Sequence, residues 1–132
     1  MLARKILNVG SDRQLVDERH KVLASAGFEV VSATNLLEVT KACEEHDFAL
    51  VVLGQTLNIN EKKRIKSTIR SACKRGTPVL ALYQTSVSEA DDADRALAAQ
   101  GGPEALVKTA REMVDSKGQS QPKTAKAGRA KT

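Results

Sequence analysis

Aromatic side chains are nearly missing from this chain: its 132 residues hold no Trp, one Tyr and two Phe. That excludes the broad stacking platforms on which single-stranded nucleic acid is held, and it leaves Leu, Val, Ile and Ala to fill any core. Cysteine is sparse as well. Cys43 and Cys73 fall on the apolar sides of helical patterns and lack the paired spacing of a metal site, so both are expected to be buried, reduced thiols. No apolar run reaches membrane-spanning length, and no signal-peptide pattern is visible. A cytoplasmic chain with no membrane contact is the expectation. Enzyme fingerprints are missing too. Gly10 stands alone where a dinucleotide loop needs three glycines, and there is no Walker sequence. His46 has no His or Cys at ligand spacing and reads as a solvated turn residue. His20, near Asp17 and Glu18, reads as a surface residue.

Acid is absent from one end. From Lys117 onward there are five basic residues and no Asp or Glu, while the whole chain has 21 basic and 16 acidic residues. The body is therefore neutral, and the net charge of +5 belongs to the tail. Residues 117–132 have no core-forming residue larger than alanine, so burial cannot offset their ordering entropy and a disordered tail is expected. Its spaced Lys and Arg suit weak, salt-dependent nucleic-acid binding.

What remains is 41% hydrophobic, enough for one domain over residues 1–116. Its centre is Phe48–Leu57, where the unbroken apolar run Leu50–Leu53 ends at Gly54. Such a run reads as a strand buried on both faces, as in a parallel sheet covered by helices. Lys5–Val9, closed by Gly10, predicts a first strand. Ser11 and Gln14 have capping-box spacing before a helix whose inner stripe is Leu15, Arg19, Val22, Leu23 and Ala26, stopped by Gly27. Phe28–Ala33 reads as a strand. The helix after it, capped at Thr34 or Asn35, has Leu36, Val39, Ala42 and Cys43 inside.

A loop over Gln55–Asn60 leads to a helix over Glu61–Arg75 with Ile65, Ile69, Ala72 and Cys73 inside. Lys62, Lys63, Arg64, Lys66, Arg70, Lys74 and Arg75 are expected outside, first as a solvated helix face and otherwise as a docking surface for an acidic partner or a phosphate backbone. Pro78–Tyr83 is a fourth strand. Ser86–Asp94, with the acidic run Glu89–Asp94, holds one or two helical turns at most. Arg95–Ala98 makes a short fifth strand. Gly101-Gly102-Pro103 opens a last helix with Ala105, Leu106, Thr109, Ala110, Met113 and Val114 inside; Pro103 removes an amide donor from that helix start, which argues against an anion site there. Repeated strand–helix alternation with right-handed crossovers predicts an α/β, flavodoxin-like three-layer sandwich. Its five-stranded parallel sheet should run in the order 2-1-3-4-5, with the fourth helix short or absent.

Four stretches, ILNVGSDRQLVDERHKVLASAGFEVVSATN, FALVVLGQTL, PVLALYQ and GGPEALVKTAREMV, resemble the receiver domain of bacterial two-component response regulators. That resemblance implies a phosphoryl group moved from a histidine kinase to a receiver aspartate. It implies two acids for Mg²⁺ after the first strand, a nucleophilic aspartate after the third, a hydroxyl after the fourth and a lysine after the fifth. These positions fall here on Gly10 and Ser11, on Gly54, on Tyr83 and near Ala99. Asp12 lies one step late and suits a helix start. Gln55 and Thr56 cannot form an acyl phosphate, Lys108 lies too far into the last helix, and Tyr83 is large enough to fill the pocket.

No catalytic, cofactor-binding or metal-binding residue is therefore carried over. The expectation is a stand-alone, non-enzymatic, degenerate receiver that needs no cofactor and acts through protein contacts, with a signalling protein or with itself. The alternatives are a nucleic-acid-associated adaptor using the basic tail and a flavodoxin-like small-ligand binder.

Overall fold

In the computed structural model the alternation expected from the sequence closes into one parallel sheet. All residues are described except 1–3, 74–76, 87, 89–92 and 120–132, together with the side chains of 116–119. The strands are β1 (Lys5–Val9), β2 (Glu29–Ala33), β3 (Leu50–Leu53), β4 (Val79–Tyr83) and β5 (Arg95–Ala98), in the order β2-β1-β3-β4-β5. All four pairings are parallel, and β1 and β3 register as Ile6 with Leu50 through Val9 with Leu53. The helices are α1 (Arg13–Ser25), α2 (Leu36–Glu45), α3 (Ile59–Ala72) and α4 (Gly102–Gln119); a short 3-10 turn, Ala99–Gly101, precedes the last. The fold class and strand order are those expected.

Alternation along the strands builds two cores. Leu7, Val9, Val51, Leu53, Val79 and Ala81 face α2 and α3. Ile6, Leu50, Val52, Leu80 and Leu82 face the other way, against Leu23 of α1 and Leu106, Ala110 and Met113 of α4. All four residues of β3 are fully buried, as its apolar run requires.

Helix ends follow local chemistry, with some shifts from expectation. Asp12, and not Ser11, caps α1: its carboxylate accepts from the backbone N–H groups of Gln14 and Leu15. Gly27, at φ 102°, ends the helix in a Schellman arrangement. Its N–H donates to the Ala24 carbonyl and the Phe28 N–H to that of Leu23. Asn35 caps α2 by accepting from the Glu38 N–H. α3 starts two residues early, because Asn58 and Glu61 form a reciprocal capping box.

Three further points depart from the sequence reading. Lys62 and Lys66, expected on the outer face of α3, are 0% and 5% exposed. Lys62 Nζ donates to the Leu82 carbonyl at 3.0 Å. Cys43 and Cys73 are not free thiols: they form a disulfide between α2 and the end of α3, with Cα atoms 4.6 Å apart. Helical periodicity places each cysteine on an inner face but carries no information on their mutual distance; the side-by-side packing of α2 and α3 sets that. The α4 helix runs to Gln119, past the expected start of the tail, whose residues 120–132 lie outside the described residues. Among the described residues no α-helix separates β4 from β5, and Glu89, Asp91 and Asp92 of the acidic run lie outside them. Asp94 of that run accepts from the Val79 N–H at 2.7 Å.

The disulfide closes a loop of 30 residues, which by chain entropy corresponds to about 3–4 kcal/mol of stabilisation. Thermal unfolding with and without a reductant, and of a C43S/C73S double variant, measures it. Both treatments are expected to lower the melting temperature by many degrees, and to the same value.

Candidate functional site

In parallel α/β sheets, ligands are met at the carboxyl ends of the strands, where the strand order reverses. Here that point lies between β1 and β3, whose ends are Gly10 and Gly54. Neither glycine has a positive φ; what each supplies is room. A Cβ built on Gly54 falls 2.6 Å from Arg19 Nη2, and one on Gly10 falls 2.9 Å from the same nitrogen and 2.7 Å from Val16 Cγ2. The guanidinium of Arg19 thus fills the space that side chains at the two strand ends would need.

Arg19 comes from the inner stripe of α1 and is only 7% exposed. Its Nε donates to Asn8 Oδ1 at 2.6 Å, Nη1 to Gln55 Oε1 at 3.3 Å and Nη2 to the Val9 carbonyl at 3.4 Å. Every acceptor is neutral. Burial with no compensating carboxylate pulls the guanidinium pKa down to about 10, which corresponds to about 3 kcal/mol against the buried charge. The group stays protonated at neutral pH and carries that penalty in full; it is relieved only as pH rises past 10.

Asn8 holds the guanidinium in place. It sits fully buried in mid-β1, and its Nδ2 donates to the Val16 carbonyl at 2.9 Å and to Ser32 Oγ at 3.1 Å. Each side-chain polar atom of Asn8 is therefore satisfied, as a buried amide requires. Ser32 Oγ also lies 2.8 Å from His20 Nδ1, so His20 is half-buried and hydrogen-bonded, not simply a surface residue.

Above this layer the loops are laced by neutral groups. Ser11 Oγ and Thr56 Oγ1 are 2.9 Å apart. Gln84 Nε2 donates to the Gln55 carbonyl at 3.3 Å, and Gln100 Nε2 to the Gln84 carbonyl at 3.1 Å.

The structure scatters most residues weighed from the sequence. Gly10, Ser11, Gly54, Gln55 and Thr56 gather at the strand ends. Asp12 is occupied as a helix cap. Tyr83 ends β4 half-buried, and the group lodged between the glycines is Arg19, not Tyr83. Ala99 lies in the 3-10 turn, Lys108 on the exposed side of α4. His46 Nδ1 is 3.1 Å from Lys5 Nζ, with its ring tilted against Phe48. Asn8 and the role of Arg19 were missed. The available signal was a polar residue inside the apolar run of β1 and a cation inside the apolar stripe of α1.

A divalent cation does not fit beside Arg19. The facing groups are amides, carbonyls and one guanidinium of like charge, and hard cations want several carboxylate oxygens. Among the described residues no three His, Cys, Asp or Glu side chains gather as a metal-binding group.

No protein-family model and no curated protein matches the chain. Solved structures do. The chemotaxis protein CheY4 of Vibrio cholerae superposes with TM-score 0.71 at 22% identity, over 85% of this chain and 99% of that one. A CheY-like response regulator receiver domain protein from Methanospirillum hungatei gives 0.74 at 20%, over 91% and 100%. The response regulator TrrA of Thermotoga maritima, in complex with Mg²⁺ and BeF, gives 0.70 at 19%, over 83% and 98%. The fold is that of CheY-like receiver domains.

The interlock of Arg19 with Gly54 has a measurable consequence. G54A is expected to destabilise the protein by about 1–3 kcal/mol through overpacking. Combined with R19A, its cost should shrink, giving a coupling of about 0.5–3 kcal/mol in denaturant melts. Strict additivity would mean that the guanidinium does not lie against Gly54.

Proposed function

We propose that the chain is a degenerate receiver: a non-enzymatic component of two-component signalling that is not phosphorylated and acts through protein contacts. The observation that carries this reading is the buried guanidinium of Arg19 lodged between Gly10 and Gly54. By the resemblance in sequence, these strand ends are where receivers hold the metal-binding acids and the phosphoacceptor aspartate. Glycine offers no nucleophile, and a fixed cation takes the place of a mobile one. The fold is then held in one state by its own side chain, with no metal-and-phosphoryl switch to move it. Cytoplasmic placement follows from this reading. In that compartment the pool of small thiols acts against the Cys43–Cys73 bond, so the state of the pair there depends on its reduction potential.

Output through contact is supported by α3. Lys63, Arg64 and Arg70 are exposed and form no ion pair among the described residues. Of the basic face expected from the sequence, Lys62 and Lys66 are buried, and Lys74 and Arg75 lie outside the described residues. The exposed face suits an acidic protein partner, whose approach it would accelerate and orient.

Incubation with Mg²⁺ and acetyl phosphate, followed by intact mass and a melting curve, tests the reading. No adduct and no shift are expected. G54D alone is also expected to remain unmodified, because the new carboxylate would meet Arg19 and ion-pair with it. A stable adduct on the wild-type chain, at Asp12 or elsewhere, overturns the proposal.

A further inference from the structure

Among the described residues, Arg19 is a buried cation without an anion. A guanidinium has five N–H donors, and the structure gives acceptors to three of them, all neutral. Buried charges are ordinarily paired. The same side chain, together with Gln55, lines a cleft of about 210 Å³ between α1, the ends of β4 and β5, and the start of α4. The rest of that cleft is largely apolar, with Leu15, Leu82, Leu97, Pro103 and Leu106 on its walls. One acid, Glu18, also lines it.

From these features we infer that the cleft is a binding site for a small organic monocarboxylate, with the carboxylate on Arg19 and Gln55 and an apolar body against Leu15, Leu97 and Leu106. Each part of the ligand answers a part of the site. The carboxylate replaces a 3.3 Å bond to the neutral Gln55 Oε1 with a shorter, charge-assisted one. It also neutralises the Arg19 charge, whose acceptors in the fold are all neutral. Gln55 is only half-buried, so its amide is free to turn and present its N–H₂ to the second carboxylate oxygen. The apolar walls favour a hydrocarbon body of a size the cleft holds, on the scale of a benzoate. Glu18 and those walls together disfavour sulfate and phosphate, which bring a second negative charge and no apolar surface.

This site would couple to the surface. A ligand drawing Gln55 toward the cleft acts on the loop after β3, whose Gln55 carbonyl accepts from Gln84 and whose Thr56 contacts Ser11. The inference is separate from the signalling proposal. That reading rests on the guanidinium lodged between Gly10 and Gly54, where no nucleophile stands, and it holds whether or not the cleft is filled.

The experiment is a titration of the full-length protein with sodium benzoate at constant ionic strength. The readouts are the Arg19 Nε–H resonance by ¹H–¹⁵N NMR and the melting temperature, with sodium sulfate as the parallel arm. Benzoate is expected to shift the Arg19 resonance saturably, with half-saturation on the order of 1 mM, and to raise the melting temperature in step with occupancy. Sulfate should do neither. A99F, which fills the cleft from the 3-10 turn without altering Arg19, should retain the resonance and lose its response. R19M should lose the benzoate-dependent rise in melting temperature. No saturable shift up to tens of millimolar benzoate overturns the proposal. So does an equal response to sulfate, which marks an adventitious ion only, or a benzoate response that survives A99F.

Discussion

A guanidinium buried among neutral oxygens, tight against two strand ends, constrains everything around it. Nothing larger than hydrogen is tolerated at positions 10 and 54 while Arg19 lies where it does. Asn8 must be an amide, because it accepts from Arg19 on one side and donates to Val16 and Ser32 on the other. The first turn of α1 must start at Asp12, because that start sets the Val16 carbonyl over Asn8 and delivers Arg19 seven residues further on. One interaction thus fixes the junction of β1, β3 and α1, the place where a parallel sheet of this order presents its chemistry.

The energetic sense of that junction is unusual. Desolvating a charge is unfavourable, and neutral hydrogen bonds return only part of the cost. The sheet absorbs it because the surrounding apolar burial is extensive: β3 is inaccessible on both faces, and two separate apolar clusters cover the sheet. On the α2–α3 side the Cys43–Cys73 bond adds a covalent tie. It acts mainly on the unfolded ensemble, so the packing of the native state does not depend on it.

Legibility differed by element. β3 was plain because four consecutive apolar residues have few alternatives, and Gly27 was plain because only glycine is at ease in its backbone conformation. The stripe Leu15, Arg19, Val22, Leu23 was also legible, and it contained the central cation without revealing its role. Lys62 stands three residues before Ile65 and seven before Ile69, on the same buried stripe of α3, while its charge points to the outer face. A long lysine that reaches a strand-end carbonyl satisfies both.

Sequence alone determined the layers, the strand order and the absence of a carboxylate at the end of β3. Periodicity and glycine placement are local properties, and crossover handedness leaves few ways to assemble them. Only the tertiary structure decided what fills the space at the ends of β1 and β3. Residues 10, 19 and 54 meet because α1 packs back across the strand pair that begins the sheet. Cys43 and Cys73 meet because two helices happen to lie side by side. Distances between residues far apart in the chain are set by packing, and hydrophobic patterning says which face a side chain takes, not what it touches there.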